Sequence, residues 1–117
     1  IYSQALLCEN YNMFDLAALG LRTSLEVLCK DFAIAKLGAT IDDVKDLKLA
    51  DTIRKYYPDN ALNNSANVIR ILGNDYAHYE SKYSQVDYFT LRKYFDAFLS
   101  LLEIKLNALT PIDEIHQ

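Results

Sequence analysis

With 117 residues, 51% of them apolar and 24% charged, the chain is long enough to close one hydrophobic core without a metal or a disulfide, and too apolar to stay disordered. A formal net charge of −4 excludes a protein that grips nucleic acid with its whole surface, so any contact with RNA has to be local, transient or assisted by another domain. Three glycines and two prolines are too few for the turns of an all-β domain, which points to long helices with few connections.

In chain order, residues 1–9 read as a short helix or the end of a longer one, and Glu9-Asn10-Tyr11-Asn12 as a turn. A long helix follows from residue 12 or 13 to 37 and stops at Gly38, a natural C-terminal residue. Its apolar positions Ala18, Leu21, Leu25, Leu28, Phe32 and Ala35 are spaced 3, 4, 3, 4, 3, the seam of a helix packed lengthwise in a bundle. Thr40 with Asp43 three residues on resembles a capping arrangement for a short helical turn within 39–46. A second short helix covers 47–57 and ends before Pro58, and Pro58-Asp59-Asn60 is a turn. The next helix spans 61–79, with Leu62, Ala66, Ile69, Gly73 and Tyr76 on its core face. Residues 81–85 connect to a last long helix over 86–109, with Leu91, Phe95, Phe98, Leu102 and Leu109 on one face, and Pro111 ends it. No strict alternation argues for a strand. The expectation is an all-α, up-and-down helical bundle of three long and two or three short helices, with an irregular connection over residues 38–60. One domain is expected over 1–110, with 111–117 a polar C-terminal tail expected to lead toward a neighbouring domain. The chain opens with Ile rather than Met, as a piece of a larger protein would.

Cys8 and Cys29 lie in helical apolar surroundings with no ligand spacing, so they read as buried free thiols in a reducing cytoplasm, and no metal or cofactor is expected. No apolar run is long enough to span a membrane, and no secretory leader is expected.

One segment stands apart, Arg70-Ile71-Leu72-Gly73-Asn74-Asp75-Tyr76-Ala77-His78. At about 100° per residue, Asn63, Asn67, Arg70, Asn74 and His78 fall roughly 100–180° from Ile69 and form a polar stripe beside the core face. Asn is a poor helix former, so several Asn in line with Arg and His imply hydrogen bonding as the reason for their presence. Gly73 in mid-helix costs about 1 kcal/mol against Ala, which implies close approach of another backbone or of a ligand. The plainer alternative has His78 bonded within the bundle and Arg70 paired with a core-edge carboxylate, Glu26 being the first candidate. Arg22 and Glu26, four apart on one helix, invite a local ion pair.

The layout of Arg22 and Glu26 on a long helix, followed by Ile69-Arg70-x-x-Gly73-Asn74-Asp75-x-Ala77-His78, resembles a prokaryotic domain-of-unknown-function family whose members occur alone or attached to restriction-endonuclease and other phage-defence proteins. That family is in turn similar to the HEPN superfamily of helical bundles, and the likeness covers about residues 2–109. The resemblance implies a homodimer in which two copies of the motif face one cleft, and a fused or partner defence protein. The superfamily often cuts RNA without metal, using a motif of Arg, a polar residue, three variable residues and His. Aligned on Asn74 and His78, the arginine position of that motif is Gly73, and Arg70 lies one helical turn earlier.

Two functions are therefore weighed. The first is a non-catalytic, HEPN-like interaction or sensing module of a prokaryotic defence or toxin-type system, favoured by the acidic charge and by Gly73 at the arginine position. The alternative is a metal-independent RNA endonuclease, with His78 as general acid or base on a ribose 2′-hydroxyl, Arg70 on the scissile phosphate and Asn74 orienting the His or donating to a phosphate oxygen. Asp75, three residues before His78, is close enough in sequence to reach the imidazole but is expected to face solvent or another helix, and Arg22, Glu26 and Gly73 serve as support. A small-molecule or nucleotide pocket inside the bundle is a third possibility. Asp42, Asp43 and Asp46 read as an exposed face without the pattern of a calcium loop, and His116 as a solvated tail residue. Tyr76, Tyr79, Tyr83 and Tyr88 offer stacking surfaces but are expected to cover the bundle's edge.

Overall fold

The computed structural model describes residues 1–76 and 85–109, the side chains of 75–76 and 85–87 excepted. Among the described residues there are six helices and no strand: α1 (Tyr2–Asn10), α2 (Phe14–Lys36), α3 (Ile41–Val44), α4 (Leu49–Tyr56), α5 (Asn60–Tyr76) and α6 (Gln85–Leu109). The all-helical expectation holds. No helix among them is long and apolar enough to cross a membrane.

The turn after α1 falls later than expected. Glu9 and Asn10 complete the helix, and the reversal is made at Tyr11 and Asn12, the latter at φ 59°. Asn tolerates this left-handed conformation better than other non-glycine residues. The Met13 amide then donates to Cys8 O at 2.8 Å and closes the turn. α1 folds back along α2 so closely that a methyl group on Gly20 would lie 2.9 Å from Ala5 Cβ. Two small residues set that spacing.

α2 ends where glycine allows it. Gly38 has φ 78°, and the Leu37 and Ala39 amides both donate to Ala33 O. The seam of α2 is wider than the heptad-like spacing suggests. Ala17, Ala18, Leu21, Leu25, Cys29, Phe32 and Ala33 are buried, Leu28 is half-buried and Ala35 is exposed. The reason is the position of α2 against α1, α4, α5 and α6 at once, which covers more than a single stripe. The Thr40–Asp43 capping box is present, with both reciprocal bonds made. The Thr40 backbone amide, and then its hydroxyl, hold the Asp43 carboxyl below its ordinary pKa. Asp42, Asp43 and Asp46 are exposed.

α5 runs antiparallel to α2, as its contacts show: Gly73 meets Arg22, while Tyr57, just before α5, meets Cys29. α6 returns antiparallel to α5, with Lys105 Nζ 2.7 Å from Asp59 Oδ2. The core is formed by Leu21 and Leu25 of α2, Ile53 of α4, Leu62, Ala66 and Ile69 of α5, and Leu91, Phe95, Phe98 and Leu102 of α6. Leu109 is exposed, contrary to the expected face, because it lies in the last turn of α6 beyond Leu102, the final buried position of that helix. Tyr57 is fully buried between Phe32 and Phe98, and its hydroxyl donates to Cys29 O at 2.6 Å. Both cysteines are free thiols, but only Cys29 is fully buried; Cys8 is half-exposed. Burial, reinforced by the charge of Glu26, pushes the Cys29 thiol up to about 12, leaving it a small apolar filler rather than a nucleophile.

Candidate functional site

The polar stripe of α5 is a hydrogen-bonded ladder. Asn63 Nδ2 donates to Tyr57 O at 3.0 Å, Asn67 Nδ2 donates to Asn63 Oδ1 at 3.0 Å, and Arg70 Nε donates to Asn67 Oδ1 at 3.1 Å. Helical spacing of four and three brings these side chains into line. Asn suits the role because a primary amide donates from one atom and accepts on the other. The ladder ends on the carbonyl just beyond α4, a group that the helix itself leaves unbonded. All its members are half-buried, as a stripe beside a core face should be. The ladder therefore ties α5 to the end of α4 and fixes the stem of Arg70.

Asn74 is also half-buried, and its amide makes no hydrogen bond to the described residues. Asp75 is the penultimate residue of α5, and its side chain lies outside the described residues. His78 lies outside them altogether, as do Tyr79, Tyr83 and His116. The arrangement of the imidazole with Arg70 and Asn74 is thus not part of the described geometry.

Gly73 has a definite steric reason. A methyl group there would stand 2.7 Å from Arg22 Cβ, 3.2 Å from its Cγ and 3.3 Å from its Cδ. The close approach at this glycine is made not by another backbone or a ligand, as expected, but by a side-chain stem of α2. Laid across α5 in this way, Arg22 does not pair with Glu26. The carboxylate of Glu26 instead reaches forward to Lys30 Nζ at 3.8 Å. Glu26 does not hold Arg70 either; the Arg70 Nε is bonded to Asn67. Arg22 Nε is buried and has no hydrogen-bond partner among the described residues. The stem of Arg22 thus lies against α5 at Gly73, in the turn that also carries Arg70 and Asn74, and neither arginine has a carboxylate partner among the described residues. Chemically, such a turn can accept an anion. It offers no nucleophile, and no group of three or more His, Cys, Asp or Glu able to hold a metal ion occurs among the described residues.

A second polar cluster was not foreseen. Arg92 Nη1 of α6 donates to both oxygens of Glu9, at 2.8 and 2.9 Å, and its Nε donates to Asp96 Oδ1 at 3.2 Å. The Tyr88 hydroxyl donates to the same Glu9 carboxylate at 2.8 Å. Burial, and then this bond, raise the pKa of the Tyr88 phenol above its ordinary value. The cluster clamps the C-terminal end of α1 to α6. Tyr88 is fully buried, not a residue of the bundle's edge. Sequence spacing carries no trace of a contact 83 residues apart. The only hint is an acidic residue late in a helix, a position that favours cations.

A cleft of about 350 Å³ opens between α1, α2 and α6, with Tyr2, Val27, Leu28, Phe95 and Leu99 among its walls. None of the stripe residues lines it.

A family model described as Domain of unknown function (DUF4145) matches residues 3–114. No curated protein and no solved structure matches the chain.

Proposed function

The chain belongs to the DUF4145 family, and from that premise we propose that it is a cytoplasmic, HEPN-like interaction or sensing module of a prokaryotic defence system, non-catalytic and acting as a homodimer beside a fused or partner defence protein. The observation that carries this reading is the ladder. Asn63, Asn67 and the Arg70 Nε are spent on holding α5 to the end of α4. Gly73, at the motif's arginine position, is spent on admitting the stem of Arg22. Amide and Nε donors already bonded within the fold are fewer to offer a substrate, which favours a surface of fixed shape over a catalytic centre.

One observation favours the alternative of a metal-independent RNA endonuclease using His78 and Arg70. The Arg70 guanidinium has no carboxylate partner among the described residues and keeps its terminal donors for a phosphate oxygen.

Two measurements separate these readings. In EDTA, neither the wild type nor His78→Ala is expected to cleave RNA; cleavage by the wild type that disappears in His78→Ala would establish the endonuclease. By light scattering, Asn74→Leu is expected to shift the monomer–dimer balance of the wild type. An unchanged balance would remove the stripe from the subunit interface.

A further inference from the structure

We propose that Arg22, whose stem lies on Gly73, and Arg70, one turn earlier on α5, form a binding site for the phosphate group of a small phosphorylated ligand. The inference deepens the sensing half of the reading above and rests on it only for its biological purpose, because the geometry stands whether or not the chain dimerises.

Arg22 Nε is buried and without a partner among the described residues. Leaving a buried donor unmade costs roughly 1–3 kcal/mol, and more when the group is charged. An apolar or shorter side chain at position 22 would avoid that loss. The fold instead gives up side-chain volume at position 73 so that the Arg22 stem can pass, its Cγ and Cδ lying 3.2 and 3.3 Å from where a methyl group would be. Both features have one explanation if the guanidinium is meant for an acceptor that comes from outside.

The surroundings supply the rest of such a site. Arg70 is three residues before Gly73 on α5, and positions so spaced have Cβ atoms about 5–6 Å apart. Its Nε is engaged by Asn67, which fixes the stem and leaves the terminal nitrogens free to act. Asn74, half-buried and next to Gly73, adds an amide. The carboxylate nearest along α2, Glu26, is occupied by Lys30. Two guanidiniums and an amide around one helical turn match a tetrahedral dianion, which accepts charge-assisted bonds from several directions at once.

Overall charge decides the class of ligand. At −4 the chain repels a polyanion over most of its surface, whereas a local pair of arginines holds a single phosphate. A small phosphorylated molecule such as a nucleotide therefore fits better than a nucleic acid strand.

The test is a titration of the full chain with inorganic phosphate, with a nucleoside 5′-monophosphate and with a single-stranded oligoribonucleotide, at matched ionic strength against acetate. Phosphate and the nucleotide are expected to raise the melting temperature and acetate is not; tighter binding of the nucleotide than of phosphate identifies a nucleotide as the source. Arg22→Met and Arg70→Met are each expected to weaken binding by about tenfold or more, the loss of a charge-assisted contact. Arg54→Gln, which removes an exposed pair with Asp51 on α4, is expected to leave binding unchanged. The unliganded Arg22→Met protein is expected to melt no lower than the wild type, since it loses an unpaired buried donor; a purely structural arginine would instead destabilise on removal. Should Arg22→Met fail to fold, a buried structural role is indicated and the proposal fails. It fails equally if phosphate produces no shift, if Arg70→Met binds like Arg54→Gln, or if affinity grows with oligonucleotide length and the mononucleotide does not bind.

Discussion

The two ends of the polar chemistry in this bundle treat arginine in opposite ways. At the α1–α6 junction, Arg92 meets Glu9 through both carboxylate oxygens and Asp96 through its Nε, and Tyr88 completes the set. On the α2–α5 face, Arg22 keeps a buried Nε with no acceptor among the described residues, and Arg70 is steadied only by a neutral amide. The first arrangement has its charges satisfied, and its work is to hold two helices together. The second has donors to spare. The difference teaches that burial of an arginine is no guide to its purpose until its acceptors are counted.

Substitution at the clamp should give the largest effect. Arg92→Ala would leave the Glu9 carboxylate, whose side chain is only 16% exposed, without its cation and with the Tyr88 hydroxyl alone of this cluster, and is expected to lower stability by about 2 kcal/mol in a urea titration. A loss below about 0.5 kcal/mol would make the clamp equivalent to an ordinary surface pair and erase the contrast. Next comes Gly73→Ala. The added methyl meets Arg22 Cβ, an atom that cannot swing away without its backbone. An overpacking loss of roughly 1–3 kcal/mol outweighs the gain of about 1 kcal/mol in helix propensity, for a net loss near 1 kcal/mol. A stabilised Gly73→Ala protein would show that the stem moves freely. The smallest effect belongs to the ladder. Asn67→Ala removes one donated and one accepted bond but gains helix propensity, so about 1 kcal/mol or less should be lost. Hydrogen exchange should rise at the amides near the junction of α4 and α5, and unchanged protection there would detach the ladder from any role in joining them.

Legibility in the sequence followed distance along the chain. The capping box at Thr40 and Asp43, the stop at Gly38 and the core face of Leu62, Ala66, Ile69 and Gly73 all depend on neighbours within a turn or two, and all are present. The ladder belongs to the same class, because asparagines at helical spacing announce a hydrogen-bonding purpose, which Asn63 and Asn67 fulfil and Asn74 does not among the described residues. The partner of Gly73 was not legible, although the need for close approach was, since nothing local says which stem crosses α5. The clamp was not legible at all. Glu9 read as a turn residue, and its partner arrives from α6. Ala35 and Leu109 continued an apolar spacing past the point where another helix covers it, and both are exposed.

The ladder on α5 also has a direction. Every amide passes its hydrogen toward the end of α4 and turns its oxygen toward Arg70, so one peptide carbonyl at residue 57 orients the whole series. Such a series is sensitive to a change of a single atom type. Conversion of Asn67 to Asp, by substitution or by slow deamidation, would keep an acceptor for the guanidinium but place two oxygens face to face at position 63. The break would travel toward α4 while the arginine was held more tightly, and ageing of this one side chain would separate the two tasks that the intact amide performs together.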